Sequence, residues 1–171
     1  MIYIFLFPIC AFILLWVIGF VINYDSSVPM KSIAKYRRIL LIFPHPDDET
    51  FSAGGLVVES KRYGASVTSV IFTKGERGTP DARMDMDLKR VRTAEATYAA
   101  TILGITEHIH LDYGDGELSK KKSEMTSYIT ALIHTMNPDL IITFDRSGLY
   151  GHPDHIACAE SIREAIKKTK T

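Results

Sequence analysis

The chain divides by polarity before it divides by anything else. From Ile2 to Ile22 every residue is apolar or small and none is charged; the first charge is Asp25. At about 1.5 Å per residue, these positions make a helix of roughly 31 Å, close to the roughly 30 Å of a bilayer's hydrocarbon core. The run lacks a basic leader and no small-x-small cleavage site follows it, so the pattern predicts a retained transmembrane anchor over 1–23 rather than a cleaved signal. Lys31, Lys35, Arg37 and Arg38 crowd the downstream flank, which predicts a single-pass membrane protein with its domain on the cytoplasmic side. Residues 24–36, with Asp25, Ser26, Ser27 and Pro29, read as a short polar linker.

From position 37 to 171 the pattern alternates. Apolar, β-branched runs at Arg38–Phe43, Ser66–Thr73, His108–Leu111 and Asp139–Phe144 predict strands buried on both faces. Between them, helical periodicity predicts Thr50–Tyr63 stopping at Gly64, Asp87–Leu103 stopping at Gly104, Ser123–Met136 before Pro138, and a last helix from His155 to Lys168. In the second of these helices Leu88, Val91, Ala94, Tyr98 and Ile102 form the stripe expected to face a sheet. Strand and helix alternate through four units, which predicts a Rossmann-like α/β domain: an open, mostly parallel sheet with helices on both faces. There is no internal repeat and no low-complexity tract.

Composition narrows the chemistry. Twenty Lys and Arg balance twenty Asp and Glu, and the sequence pI is about 7.0. Proteins that bind nucleic acid generally need a cationic excess to neutralise phosphates, so no nucleic-acid partner is expected. The two cysteines, Cys10 and Cys158, lie too far apart and in contexts too different to form a disulfide framework or a thiolate metal site. Any metal must therefore use His and carboxylate ligands.

In an open parallel sheet, ligands bind beyond the carboxyl ends of the strands. The segment after the first strand reads Pro44-His45-Pro46-Asp47-Asp48-Glu49, and the segment after the fourth contains Tyr150-Gly151-His152-Pro153-Asp154-His155. His45, Asp48 and one histidine of the second segment supply the three ligands of a catalytic zinc site with one position open for water. Asp47, beside a ligand, suits a general base. Helix capping is a plainer explanation for the acids. It accounts for one of them, while three adjacent carboxylates repel one another unless a cation is present.

At these segments the sequence resembles the LmbE-like or PIG-L family of zinc-dependent N-acetylglucosaminyl de-N-acetylases. The resemblance spans roughly Arg37 to Lys168. It rests on the box at Pro44–Glu49, Thr73-Lys74-Gly75-Glu76, Arg92-x-x-Glu95 leading to Leu103-Gly104, and Gly148 to His155. It implies one zinc held by His45, Asp48 and His155, with Asp47 as general base. It further implies that His152 stabilises the oxyanion, that Asp154 tunes His152, and that Arg92, Asp115 and Tyr150 touch the substrate. That substrate would be a small-molecule or lipid-linked amino sugar. Members of the family usually continue well past the final His box, so a tethered binding module of the same fold is the competing expectation; a phosphoesterase is a third. His108 and His110 are expected on one face of a short strand, and His134 late in a helix.

Overall fold

The computed structural model describes residues 2–23, 31–78 and 87–169, with side chains of the first helix described from Phe7. It forms two compact units that divide after Ser32. The first holds helix α1 (Ile2–Asn23). Among the described residues no helix is long and apolar enough to cross a membrane, so the expected transmembrane span is not supported. Most of the expected linker, residues 24–30, lies outside the described residues.

The second unit is the α/β domain. Four parallel strands, β1 (Arg38–Phe43), β2 (Ser66–Ile71), β3 (Glu107–His110) and β4 (Leu140–Ile142), lie in the order β3-β2-β1-β4. β1 and β2 pair along their full lengths, from Arg38 opposite Ser66 to Phe43 opposite Ile71. Helices α2 (Asp48–Arg62), α3 (Leu88–Leu103), α4 (Lys122–Met136), the short α5 (Gly148–Gly151) and α6 (Pro153–Thr169) belong to the same unit.

The continuous apolar run of β1 is explained by two cores. Ile39, Leu41 and Phe43 pack on one face with Ala53 and Val57 of α2; Leu40 and Ile42 pack on the other with Met125 and Ile129 of α4 and Cys158 and Ile162 of α6. A strand covered on both faces has no polar face to alternate with. The edge strands β3 and β4 are only partly buried; β3 keeps the expected length but starts one residue earlier, at Glu107, and β4 is shorter than expected. Asp139, expected inside β4, turns its carboxylate onto the backbone N–H groups of Arg37 and Arg38, at 2.9 Å each.

The expected stripe on α3 is corrected. Tyr98 and Ile102 are exposed, and the buried positions are Ala96 and Ala100, with Leu103 partly buried against the core. Small side chains let this helix approach closely, and the larger residues fall on the solvent side. Gly104 does end α3 in the left-handed conformation, with φ 73°, as its place after the periodic run implies.

Strand order fixes the place of the site. The chain steps from β1 to β2 to β3 in one direction, then returns to place β4 on the other side of β1. The loops leaving β1 and β4 therefore diverge at their carboxyl ends, which opens a crevice at the reversal point.

Candidate active site

Both motif segments line that crevice. The first turns from β1 into α2 through Asp47, whose φ of 89° places it in the left-handed region. This kink sends two adjacent carboxylates different ways. Asp48 Oδ2 accepts from the backbone N–H of His45 at 3.0 Å. Asp47 makes no side-chain capping bond to α2; its Oδ2 instead meets Arg92 Nη2 at 2.6 Å. The capping explanation thus does not hold for this residue.

The second segment reaches the crevice through the turn of α5, where Leu149 has φ 64°. Asp145 holds the turn, accepting from Ser147 Oγ and from the backbone N–H of Leu149. Pro153 then opens α6, a position where a missing N–H costs nothing. His155, in the first turn of α6, is almost fully buried, and its ring stacks on Phe144 at 4.3 Å between centroids with 8° between planes.

The three expected ligand atoms form a near-equilateral triangle. His45 Nδ1 is 3.3 Å from His155 Nε2 and 3.4 Å from Asp48 Oδ2, and His155 Nε2 is 3.6 Å from Asp48 Oδ2. A tetrahedral ion with bonds of about 2.0–2.2 Å separates its ligands by about 3.3–3.6 Å, so the triangle has the size that zinc requires. Two further sets gather about His45, namely His45 with His152 and His155, and His45 with Asp115 and Asp154. The latter set uses Nε2, the other side of the ring. There Asp115 Oδ1 and Asp154 Oδ2 each lie 3.2 Å from it, as partners that hold a proton on Nε2 and leave Nδ1 free to ligate.

Charge supports a cation at this place. Burial alone would lower the pKa of His45, but hydrogen bonds with Asp115, Asp154 and Asp48 outweigh it and push the value up to about 11. Without a metal, the cluster draws a proton onto His45. Burial lowers the pKa of His155, which keeps its imidazole neutral as a ligand must be.

The remaining expected site residues lie around the cluster, and one expected contact is not made. The carboxylate of Asp154 is fully buried and meets His45, together with the backbone N–H groups of Gly116 at 2.7 Å and Leu118 at 3.1 Å. It does not reach His152, which it was expected to tune. His152 is instead positioned by the backbone: Nδ1 accepts from the N–H of Asp154 at 3.2 Å. That bond places the ring's proton on Nε2, where it can be donated. Asp115 is buried and bound to His45 and to the backbone N–H of Arg77, so it supports the site as well as lining it. Tyr150 is exposed, with its ring 5.2 Å from that of His155.

These groups border a cavity of about 420 Å³, also lined by Arg77, Arg92, Gly75, Gly78 and Gly116, a size in the range of small-molecule sites. Arg92 lies across two of the glycines. A Cβ on Gly75 would stand 2.7 Å from Arg92 Nε, and one on Gly78 would meet Nη1. The glycines therefore make room for the guanidinium that holds Asp47. Sequence reasoning found Arg92 but missed Arg77, Phe144 and the glycine cradle; the spacing Gly75-Glu76-Arg77-Gly78 was the available signal. His108 and His110 share one face of β3, with rings 5.6 Å apart, away from the cavity lining.

Together the fold and the crevice define an α/β protein with a His-Asp-His cluster at the reversal point of a parallel sheet. The chain belongs to the PIG-L family, whose profile, described as GlcNAc-PI de-N-acetylase, matches residues 40–166. It is 33% identical over 135 residues to a probable N-acetyl-alpha-D-glucosaminyl L-malate deacetylase 2 of Bacillus anthracis, covering 76% of this chain and 59% of that protein. It is 31% identical over 157 residues to the 1D-myo-inositol 2-acetamido-2-deoxy-alpha-D-glucopyranoside deacetylase 1 of Catenulispora acidiphila, covering 77% and 49%. The N,N'-diacetylchitobiose deacetylase of Pyrococcus horikoshii superposes with a TM-score of 0.71 at 28% identity, covering 86% of this chain and 54% of that one. This chain thus spans about half the length of the curated relatives it matches.

Proposed function

We propose that this chain is a zinc-dependent amide hydrolase that removes the acetyl group from an N-acetylglucosamine conjugate. The observation that carries this reading is the triangle of His45 Nδ1, Asp48 Oδ2 and His155 Nε2, at 3.3–3.6 Å, with a carboxylate and a proton-donating imidazole beside it. The deacetylase names of its relatives agree with that chemistry.

Zinc held by these three residues would acidify a water and polarise the acetyl carbonyl. Asp47, held by Arg92 at the cavity wall, takes a proton from the attacking water. His152 donates its Nε2–H to the carbonyl oxygen as negative charge develops there. When the C–N bond breaks, Asp47 returns its proton to the departing amine, so water and amide become acetate and a free amino sugar. Asp115 and Asp154 hold the His45 ring still throughout.

The test is release of acetate and amine in equal amounts from N-acetylglucosamine conjugates by the full chain. Activity is expected to vanish with a chelator and to return with added zinc. A zinc-loaded protein that binds a conjugate without hydrolysing it would leave a binding module in place of an enzyme.

A further inference from the structure

The acetamide end of a substrate belongs at the His45, Asp48 and His155 cluster, and the rest of the molecule must lie along the remaining wall of the cavity. Two guanidinium groups line that wall. Arg92 is engaged, with Nη2 at 3.0 Å from the carbonyl of Pro46 and 2.6 Å from Asp47, and its side chain is 19% exposed.

Arg77 is built differently. Its backbone N–H is fixed by Asp115 Oδ2 at 2.9 Å, the same carboxylate whose other oxygen meets His45. Its position is therefore registered to the reacting end through a single side chain. The guanidinium lies against Gly116, whose φ is 78° and where any Cβ would collide with Nη1. The side chain is 63% exposed at the cavity rim. Among the described residues its one carboxylate contact is Glu117 at 3.4 Å, and Glu117 is closer to Lys120, at 2.7 Å. A guanidinium so placed keeps its planar donor fork available, and such a fork suits a carboxylate or phosphate better than a neutral hydroxyl.

We propose that Arg77 forms an anion subsite, reading a negatively charged group, carboxylate or phosphate, carried by the aglycone of the amino-sugar conjugate. This deepens the reading given above and rests on it for the placement of the sugar. The carbohydrate is held in the cavity interior, and the charged aglycone reaches the rim beside Gly116.

The test compares the zinc-loaded wild-type full chain with zinc-loaded Arg77→Gln on three substrates: the N-acetylglucosaminyl conjugate of malate, an N-acetylglucosaminyl phosphodiester, and the neutral conjugate of inositol. In wild type, kcat/KM is expected to favour an anionic conjugate over the neutral one. In Arg77→Gln the anionic-to-neutral ratio should fall about tenfold, mostly through KM, with zinc content unchanged and with partial recovery in Arg77→Lys. Whichever anionic arm loses more identifies the carboxylate or the phosphate as the group read. An equal loss on all three substrates would make Arg77 merely structural, and an unchanged ratio would overturn the proposal. Calorimetric binding of the deacetylated conjugates separates this from the activity itself. If no substrate is hydrolysed, the functional reading fails, while a tenfold weaker affinity of Arg77→Gln for the anionic amine products alone still supports the subsite, and no such difference removes it.

Discussion

Asp47 and Asp48 are adjacent and chemically identical, yet the backbone gives them different partners. A φ of 89° at Asp47 turns its carboxylate toward Arg92, while Asp48 stays against the N–H of His45. Left-handed backbone in a residue other than glycine is uncommon and costs energy, and Asp tolerates it better than most residues. The division of labour makes a direct test. Asp47→Asn leaves the His45, Asp48 and His155 triangle untouched but cannot accept a proton, so zinc stoichiometry by elemental analysis should remain at the wild-type value. Turnover at saturating zinc should fall by about two to four decades. Activity near wild type would remove Asp47 from the role of base. Both carboxylates and His45 were visible in the sequence because they share a six-residue segment. The kink that separates them was not, since the left-handed backbone at Asp47 reflects where α2 must start against the sheet.

The elements around the crevice act chiefly by leaving space. The turn after β2 carries Gly75 and Gly78, and both lie under the Arg92 guanidinium. Gly75 also has φ 66° and Pro46 Cδ 3.0 Å from where its Cβ would be. Gly75→Ala is therefore expected to push Arg92 off Asp47 and to strain the turn by about 1 kcal/mol. The readouts are a lower kcat with zinc retained and a modestly lower urea midpoint; a fully active variant would mean that Arg92 does not position the base. This cradle could not be read from spacing, because the helix bearing Arg92 meets the turn only after α3 docks on the sheet. The same docking decided which face of α3 is buried. Ala96 and Ala100 permit the close approach, so the larger Tyr98 and Ile102, which the periodicity put inside, stay in solvent.

At the scale of the whole molecule the site is a concentration of negative charge gathered from distant parts of the chain, and its behaviour with pH follows. In the metal-free protein His45 is raised to about 11, chiefly by Asp115, Asp154 and Asp48 against the opposing effect of burial. A group whose folded pKa lies above its unfolded value adds stability that is complete below about 6.5 and is lost as pH rises toward 11. Thermal unfolding with chelator present should thus show falling stability between pH 7 and pH 10. The zinc-loaded protein needs His45 neutral already, so it should show a flatter profile and a higher midpoint through mass action. Parallel profiles with and without zinc would contradict the ligand role of His45. What the sequence determined by itself is local or periodic: the alternation of strand and helix, the two-faced burial of β1, the two motif segments and their place at strand ends, because each is written within a few consecutive residues. What the tertiary structure decided is everything that depends on strand order. Placing β4 beside β1 brings His155 to His45 across 110 positions of chain, sets Asp154 on His45 rather than on the neighbouring His152, and carries Asp115 from the loop after β3 to join both His45 and Arg77. No pattern in consecutive residues encodes those meetings, since they arise from packing two cores against a single parallel sheet.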